Sequence, residues 1–161
     1  MTVEEFNKYV DDFSDSIYRF ILKNIGEEEK ARDVVQDTYE KLWVRADNVS
    51  YKKAKSYLFT TAYHTMIDVI RKEKRMTDLD GVNFNEYAYT DQYRGLNEIL
   101  EQALKRLPDI QRSVILLRDY EGYSYQEIGE ITGLNESQVK VYIYRARLTL
   151  KKFIGSMEAV L

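Results

Sequence analysis

Tyr123–Leu150, YSYQEIGEITGLNESQVKVYIYRARLTL, consists of two helical patterns joined across a glycine. The run Ser124-Tyr-Gln-Glu127 is a capping box, in which the serine oxygen accepts from an orphan backbone N–H while Glu127 reaches back to the cap. It starts a short helix with Ile128 and Ile131 directed inward. Gly133-Leu134 makes the turn, and Asn135-Glu-Ser-Gln138 is a second capping signal. In the helix that follows, Val139, Ile143, Ala146 and Leu150 fall on one stripe at the spacing of a core-facing side. Two helices across a glycine-containing turn form the helix-turn-helix pattern. The outward side carries Ser137, Lys140, Val141, Tyr144 and Lys151, flanked by Arg145, Arg147 and Lys152. Hydrogen-bonding, cationic and aromatic groups on one face suit phosphates and base edges in a major groove. Gln138 and Lys140 are expected on bases, Arg145 and Arg147 on phosphates. Leu148 also points outward and has no explanation on this reading.

That second helix belongs to one of two cationic segments in a chain whose formal net charge is −3. Residues 137–161 hold 5 basic and 1 acidic side chains, and residues 48–75 hold 7 basic and 2 acidic. The three remaining segments, 1–47, 76–95 and 96–136, are each net acidic. A near-neutral total therefore hides two local cationic surfaces, and clustering matters more than isoelectric point for binding a polyanion.

The first cationic segment has a different texture. Lys52, Lys53 and Lys55 precede a helix over about Ser56–Arg75 that mixes Tyr57, Phe59, Tyr63 and His64 with Arg71, Lys72, Lys74 and Arg75. Rings interleaved with cations suit single strands, because exposed bases stack on aromatic faces while the backbone follows the charge. Upstream, Phe6, Val10, Phe13, Ile17, Phe20, Ile21 and Ile25 recur at helical spacing and stop at Gly26. A second helix carries Ala31, Val34, Val35, Thr38, Leu42 and Ala46 on one stripe, with Tyr39 and Trp43 beside it. Its other side exposes Asp33, Gln36, Asp37 and Glu40. Residues 76–95 lack sustained periodicity and read as a flexible acidic linker. After it, a helix from Leu96 to Leu107 is closed by Pro108, which also suits the first turn of the next helix. That helix buries Ile110, Val114 and Leu117 and stops near Gly122. Strand-like alternation is confined to a few residues at a time. The expected fold is all-α: two small helical domains, 1–75 and 96–161, joined by the linker 76–95.

Composition removes several classes of function. With no cysteine, disulfides, thiolate metal sites and a cysteine nucleophile are excluded. Zero cysteines also fit a reducing cytoplasm. The acidic, amphipathic start is unlike a signal peptide, and no apolar run approaches the ~18 residues of a membrane span. The expected location is cytoplasmic, without membrane insertion. The single histidine, His64, stands four residues before Asp68 and could form an acid–base pair. A lone pair without a third convergent ligand makes neither a metal site nor an enzyme, so no metal, cofactor or catalytic residue is expected.

The motifs and their order resemble the extracytoplasmic-function (ECF) sigma factors, the small two-domain group IV class of the sigma-70 family. ARDVVQDTYEKLW, Ala31–Trp43, looks like the family's polymerase-binding helix, and SYLFTTAYHTMIDVIRKEKR, Ser56–Arg75, looks like its promoter-melting helix. Leu107–Leu150 looks like its C-terminal domain, including the Glu-Ile-Gly and Arg-Ala-Arg signatures. The resemblance implies a transcription initiation factor. Asp33, Gln36, Asp37, Glu40 and Trp43 would bind core RNA polymerase, through its β and β′ subunits. Lys52, Lys53, Lys55, Tyr57, Tyr63, His64, Arg71, Lys72 and Arg75 would melt and read the −10 element of promoter DNA. Ser137, Gln138, Lys140, Val141, Tyr144, Arg145 and Arg147 would contact −35 duplex. An anti-sigma factor or other targeting partner is implied as well. One position departs from the family: His64 stands where an asparagine is usual. Histidine can stack and donate a hydrogen bond, so DNA contact is retained in principle while the preferred base is left open. A plain helix-turn-helix repressor accounts for residues 107–152 but leaves the Gln36 helix and the first cationic cluster unexplained, and such proteins usually dimerise to match two half-sites.

Overall fold

The computed structural model describes residues 1–80 and 95–160. Most of the expected linker, and with it the expectation that it is flexible, lies outside the described residues. Among these residues the chain is all-helical, with seven α-helices: α1 (Val3–Ile25), α2 (Glu28–Val44), α3 (Ala54–Asp80), α4 (Leu96–Lys105), α5 (Asp109–Ile115), α6 (Tyr125–Thr132) and α7 (Glu136–Val160). Local chemistry sets most of the ends. Thr2 and Glu5 form a reciprocal capping box ahead of α1, and Gly26 ends it at φ 79°, a left-handed conformation that costs glycine nothing. Two short 3₁₀ turns, Ala46–Asn48 and Tyr51–Lys53, carry the chain from α2 into α3. α3 continues to Asp80 rather than ending at Arg75.

α1, α2 and α3 pack around Ile17, Phe20, Ile21, Ala31, Val34, Leu42, Leu58, Phe59, Ala62 and Met66, all buried. The apolar stripes of α1 and α2 are those read from their spacing. The C-terminal unit packs α4, α5 and α6 against α7 around Leu104, Leu107, Val114, Leu117, Ile128, Ile131, Val139, Ile143 and Ala146. Two details differ from the sequence reading. Pro108 occupies the cap position before α5 rather than its first turn. And α5 does not run straight to Gly122: it widens into a π turn over Leu116–Tyr120, closed by Glu121 N–H donating to Leu116 O at 3.1 Å. Such a turn inserts one residue into the helical register and re-aims the side chains after it.

The two units share a core. α3 packs against α6, and the buried apolar side chains form one cluster running from Ile17 to Ala146. The rings of Phe59 and Tyr123 meet edge to face at 5.1 Å between centroids. Ser113 Oγ donates to Asn24 Oδ1 at 3.0 Å, and both side chains are buried. Around this contact lie two ion pairs. Arg19 grips both carboxylate oxygens of Glu121 at 2.9–3.0 Å, and Lys74 reaches Asp109 at 2.7 Å. Burial alone would raise the Asp109 pKa; the Lys74 hydrogen bond and Arg112 outweigh it and hold the carboxyl below its usual range.

Candidate nucleic-acid and partner interfaces

Three surfaces emerge from these elements. On α2, burial of Ala31, Val34, Thr38 and Leu42 turns Asp33, Gln36, Asp37 and Glu40 to solvent. Thr38 is buried at no polar cost, because its Oγ1 donates to Val34 O at 2.7 Å. Gln36 Nε2 lies 3.5 Å from Glu40 Oε1, at the limit of a hydrogen bond. Trp43 is 50% exposed and packs edge to face on Phe6 at 4.9 Å. Val44 next to it is 81% exposed. The α2 face is therefore an acidic row ending in an apolar step.

The cationic cluster of the N-terminal unit is divided by the fold. Lys53 and Tyr57 line a cleft of about 500 Å³ together with Arg45, Asn48, Val49 and Ser50, where the two 3₁₀ turns meet the start of α3. Lys52 is exposed beside it. His64, Arg71, Lys72 and Arg75 are also exposed, and their spacing along α3 continues the Tyr57 side at intervals of whole turns. Two expected members go elsewhere. Tyr63 is only 6% exposed and belongs to the core, where burial raises its hydroxyl pKa, so it offers no free face for stacking. Lys55 lies over the rings of Tyr123 and Phe13, at 5.2 and 5.6 Å, and so turns toward the C-terminal unit. Arg45, Asn48 and Ser50 were missed because they fall in a turn, where no periodicity marks which side chains converge.

On α7 the buried stripe of Val139, Ile143 and Ala146 leaves Ser137, Gln138, Lys140, Val141, Tyr144, Arg145, Arg147 and Leu148 exposed. Tyr144, at 67%, is the most exposed of the large apolar side chains on this face. Several groups are already engaged. Gln138 Oε1 accepts from Asn135 N–H at 3.0 Å while Asn135 Oδ1 accepts from Gln138 N–H at 2.8 Å, so this glutamine is half of a reciprocal cap. Lys140 lies 3.5 Å from Glu136. Arg147 donates to Asp119 at 2.7 Å, and this bond raises the guanidinium pKa further. Arg118, Asp119 and Tyr125, which adjoin this face, carry no sequence signal of their own; the π turn supplies the first two and the start of α6 the third.

Among the described residues no group of acidic, histidine or cysteine side chains could hold a metal ion, and no helix is long and apolar enough to cross a membrane.

Residues 9–76 match the family model for sigma-70 region 2, and residues 97–150 match that for sigma-70 region 4. The chain is 33% identical over 145 residues to the RNA polymerase sigma factor YlaC of Bacillus subtilis, spanning 84% of each protein. It is 28% identical over 157 residues to the ECF RNA polymerase sigma factor SigM of the same organism, spanning 94% of each. Among solved structures it resembles the sigma factor RpoE of Bartonella quintana, crystallised with the anti-sigma factor NepR. The TM-score there is 0.82 at 28% identity, over 95% of this chain and 98% of that one. A region 2 bundle followed by a region 4 helix-turn-helix, in this order and over nearly the whole length of such relatives, makes the chain a member of the ECF, group IV class of sigma-70 family RNA polymerase sigma factors, non-catalytic proteins of transcription initiation.

Proposed function

We propose that this sigma factor binds core RNA polymerase through α2, captures the −10 element at the Lys53–Tyr57 cleft and along α3, and contacts −35 duplex with α7. The domain division that goes with this is 1–75 for the first two tasks and 96–161 for the third. The observation that carries the reading is the pairing of two cationic surfaces of different build on one chain. The first is a concave site with a tyrosine wall and basic rim, a shape for an unstacked base and its phosphate. The second is a convex, solvent-facing helix side, a shape for a major groove. The acidic α2 row with Trp43 and Val44 at its end suits a basic, partly apolar protein surface, which we assign to the β′ and β subunits of the polymerase.

Tyr57 and His64 are the stacking groups in this scheme; Lys52, Lys53, Arg71, Lys72 and Arg75 are phosphate contacts. Permanganate footprinting of the complex between the full chain and core polymerase on a cognate promoter is expected to reveal unpaired thymines. Tyr57→Ala combined with His64→Ala should abolish them, at ~1–3 kcal/mol per stacked base. Melting that persists in the double variant refutes the −10 assignment. An anti-sigma protein is a further expected partner, given the likeness to a sigma factor crystallised with one. The site of action is the cytoplasm, where the polymerase is.

A further inference from the structure

The outward side of α7 does not stand alone: one ring from α6 sits beneath one of its cations and beneath a second cation from the π turn. Tyr125, the first residue of α6, has the Lys140 ammonium 5.6 Å from its ring centroid and the Arg118 guanidinium at 4.5 Å. Arg118 is fixed in turn by donating to Tyr123 O at 2.9 Å. Arg147, further along the same face, donates to Asp119 at 2.7 Å. Glu136 restrains Lys140 from one turn earlier on α7, at 3.5 Å.

A lysine side chain carries a large rotamer entropy, so an unrestrained one reads a base edge poorly. A cation held over an aromatic face gives up part of that freedom before DNA arrives, and preorganisation of this kind lowers the cost of binding. We propose that Tyr125 is a positioning residue for promoter recognition: its ring sets where Lys140 leaves α7, while Asp119 sets Arg147. The base-directed and the phosphate-directed cation then project at a fixed spacing. The π turn matters here because it delivers Arg118 and Asp119 to the same place. The inference rests on the reading of α7 as the duplex-contacting helix.

Tyr125→Leu and Tyr125→Phe separate ring from hydroxyl, and both are measured in the full chain with core polymerase on a library randomised in the −35 element. Lys140→Ala first identifies the base pair whose preference depends on Lys140. At that pair Tyr125→Leu is expected to lower discrimination about two- to fivefold, the range of an exposed cation–π contact. Tyr125→Phe should retain it. In the Lys140→Ala background Tyr125→Leu should have no further effect there. Three results overturn the proposal: unchanged discrimination in Tyr125→Leu, an equal loss with Lys140 already removed, or a uniform loss at every position with a lowered unfolding midpoint. A Lys140→Ala profile identical to wild type would instead remove the underlying −35 reading, and the proposal with it.

Discussion

Trp43 and Tyr63 show how little a single aromatic letter says about its surroundings. Both stand in helices with apolar neighbours three and four residues away, yet Trp43 is half exposed and Tyr63 is buried. Trp43→Ala should therefore leave the fold intact, losing up to ~1.5 kcal/mol from its edge-to-face contact with Phe6. Capture of core polymerase is expected to fall by ~2 kcal/mol or more, the cost of truncating a well-desolvated anchor. The check is equilibrium binding to core polymerase beside a denaturant melt of the free protein. Equal losses in both would make Trp43 a fold residue and overturn the interface reading. Tyr63→Ala should do the opposite. Emptying a buried ring site costs roughly 3–5 kcal/mol of stability, so any loss of promoter melting in that variant would report unfolding. His64, its exposed neighbour, is the residue whose substitution speaks to DNA.

At the scale of the element, the helix-turn-helix depends on a close approach that its capping pattern does not announce. A Cβ added at Gly129 would lie 2.7 Å from the Leu134 carbonyl oxygen, which is backbone and cannot step aside. Gly129→Ala is expected to destabilise the chain by ~1–3 kcal/mol through overpacking. The reading is the shift of the urea midpoint at constant slope, and an unshifted midpoint would mean that α6 and α7 adjust freely. Loss of the α6 cap in Ser124→Ala should cost ~1 kcal/mol. That box also lowers the Glu127 pKa, through the Ser124 backbone N–H and then its hydroxyl. The carboxylate's contribution is thus present above its unfolded pKa and lost as pH falls through the depressed folded value.

For the molecule as a whole, the decisive feature is that region 2 and region 4 pack on each other. Lys55 and Lys74, two cations of the first basic cluster, reach across to the C-terminal unit, over Tyr123 and onto Asp109. The free protein is accordingly expected to bind promoter duplex weakly, with sequence preference appearing only when polymerase holds both units on DNA. Fluorescence anisotropy at ~150 mM salt, where the Debye length is ~8 Å, with and without core polymerase, is the measurement. Tight specific binding by the chain alone would favour a repressor. Charge reversal at Glu121, which is gripped by Arg19, is expected to separate the units. With no native cysteine, an engineered dye pair can report their distance, and Glu121→Lys should lower transfer while Arg19→Glu in the same chain restores it. Acid should act similarly at Asp109. Its pKa is depressed below the ordinary 3.8, so its contribution is complete above about pH 4 and lost as pH falls through the lower folded value. Asp109→Asn should remove that part of the acid response.

By itself the sequence determined the helical class, the stripes that α1, α2 and α7 bury, the glycine stops at Gly26 and Gly133, and the box at Ser124. Each of these is local: a period of 3.6 residues, a cap three residues long, or one left-handed backbone angle carries it. The family signatures extended that reading to the order of the two regions. Tertiary structure alone decided which members of a mixed stripe stay accessible. Tyr57 lines a cleft while Tyr63 is lost to the core, and Lys53 remains on the surface while Lys55 is drawn toward Tyr123. It also decided that a π turn brings Asp119 to Arg147 and that Phe59 packs on Tyr123 from the other unit. Those outcomes depend on contacts between residues tens of positions apart, Asn24 with Ser113 among them. No window of the chain contains both partners of such a contact, so no local pattern can state it.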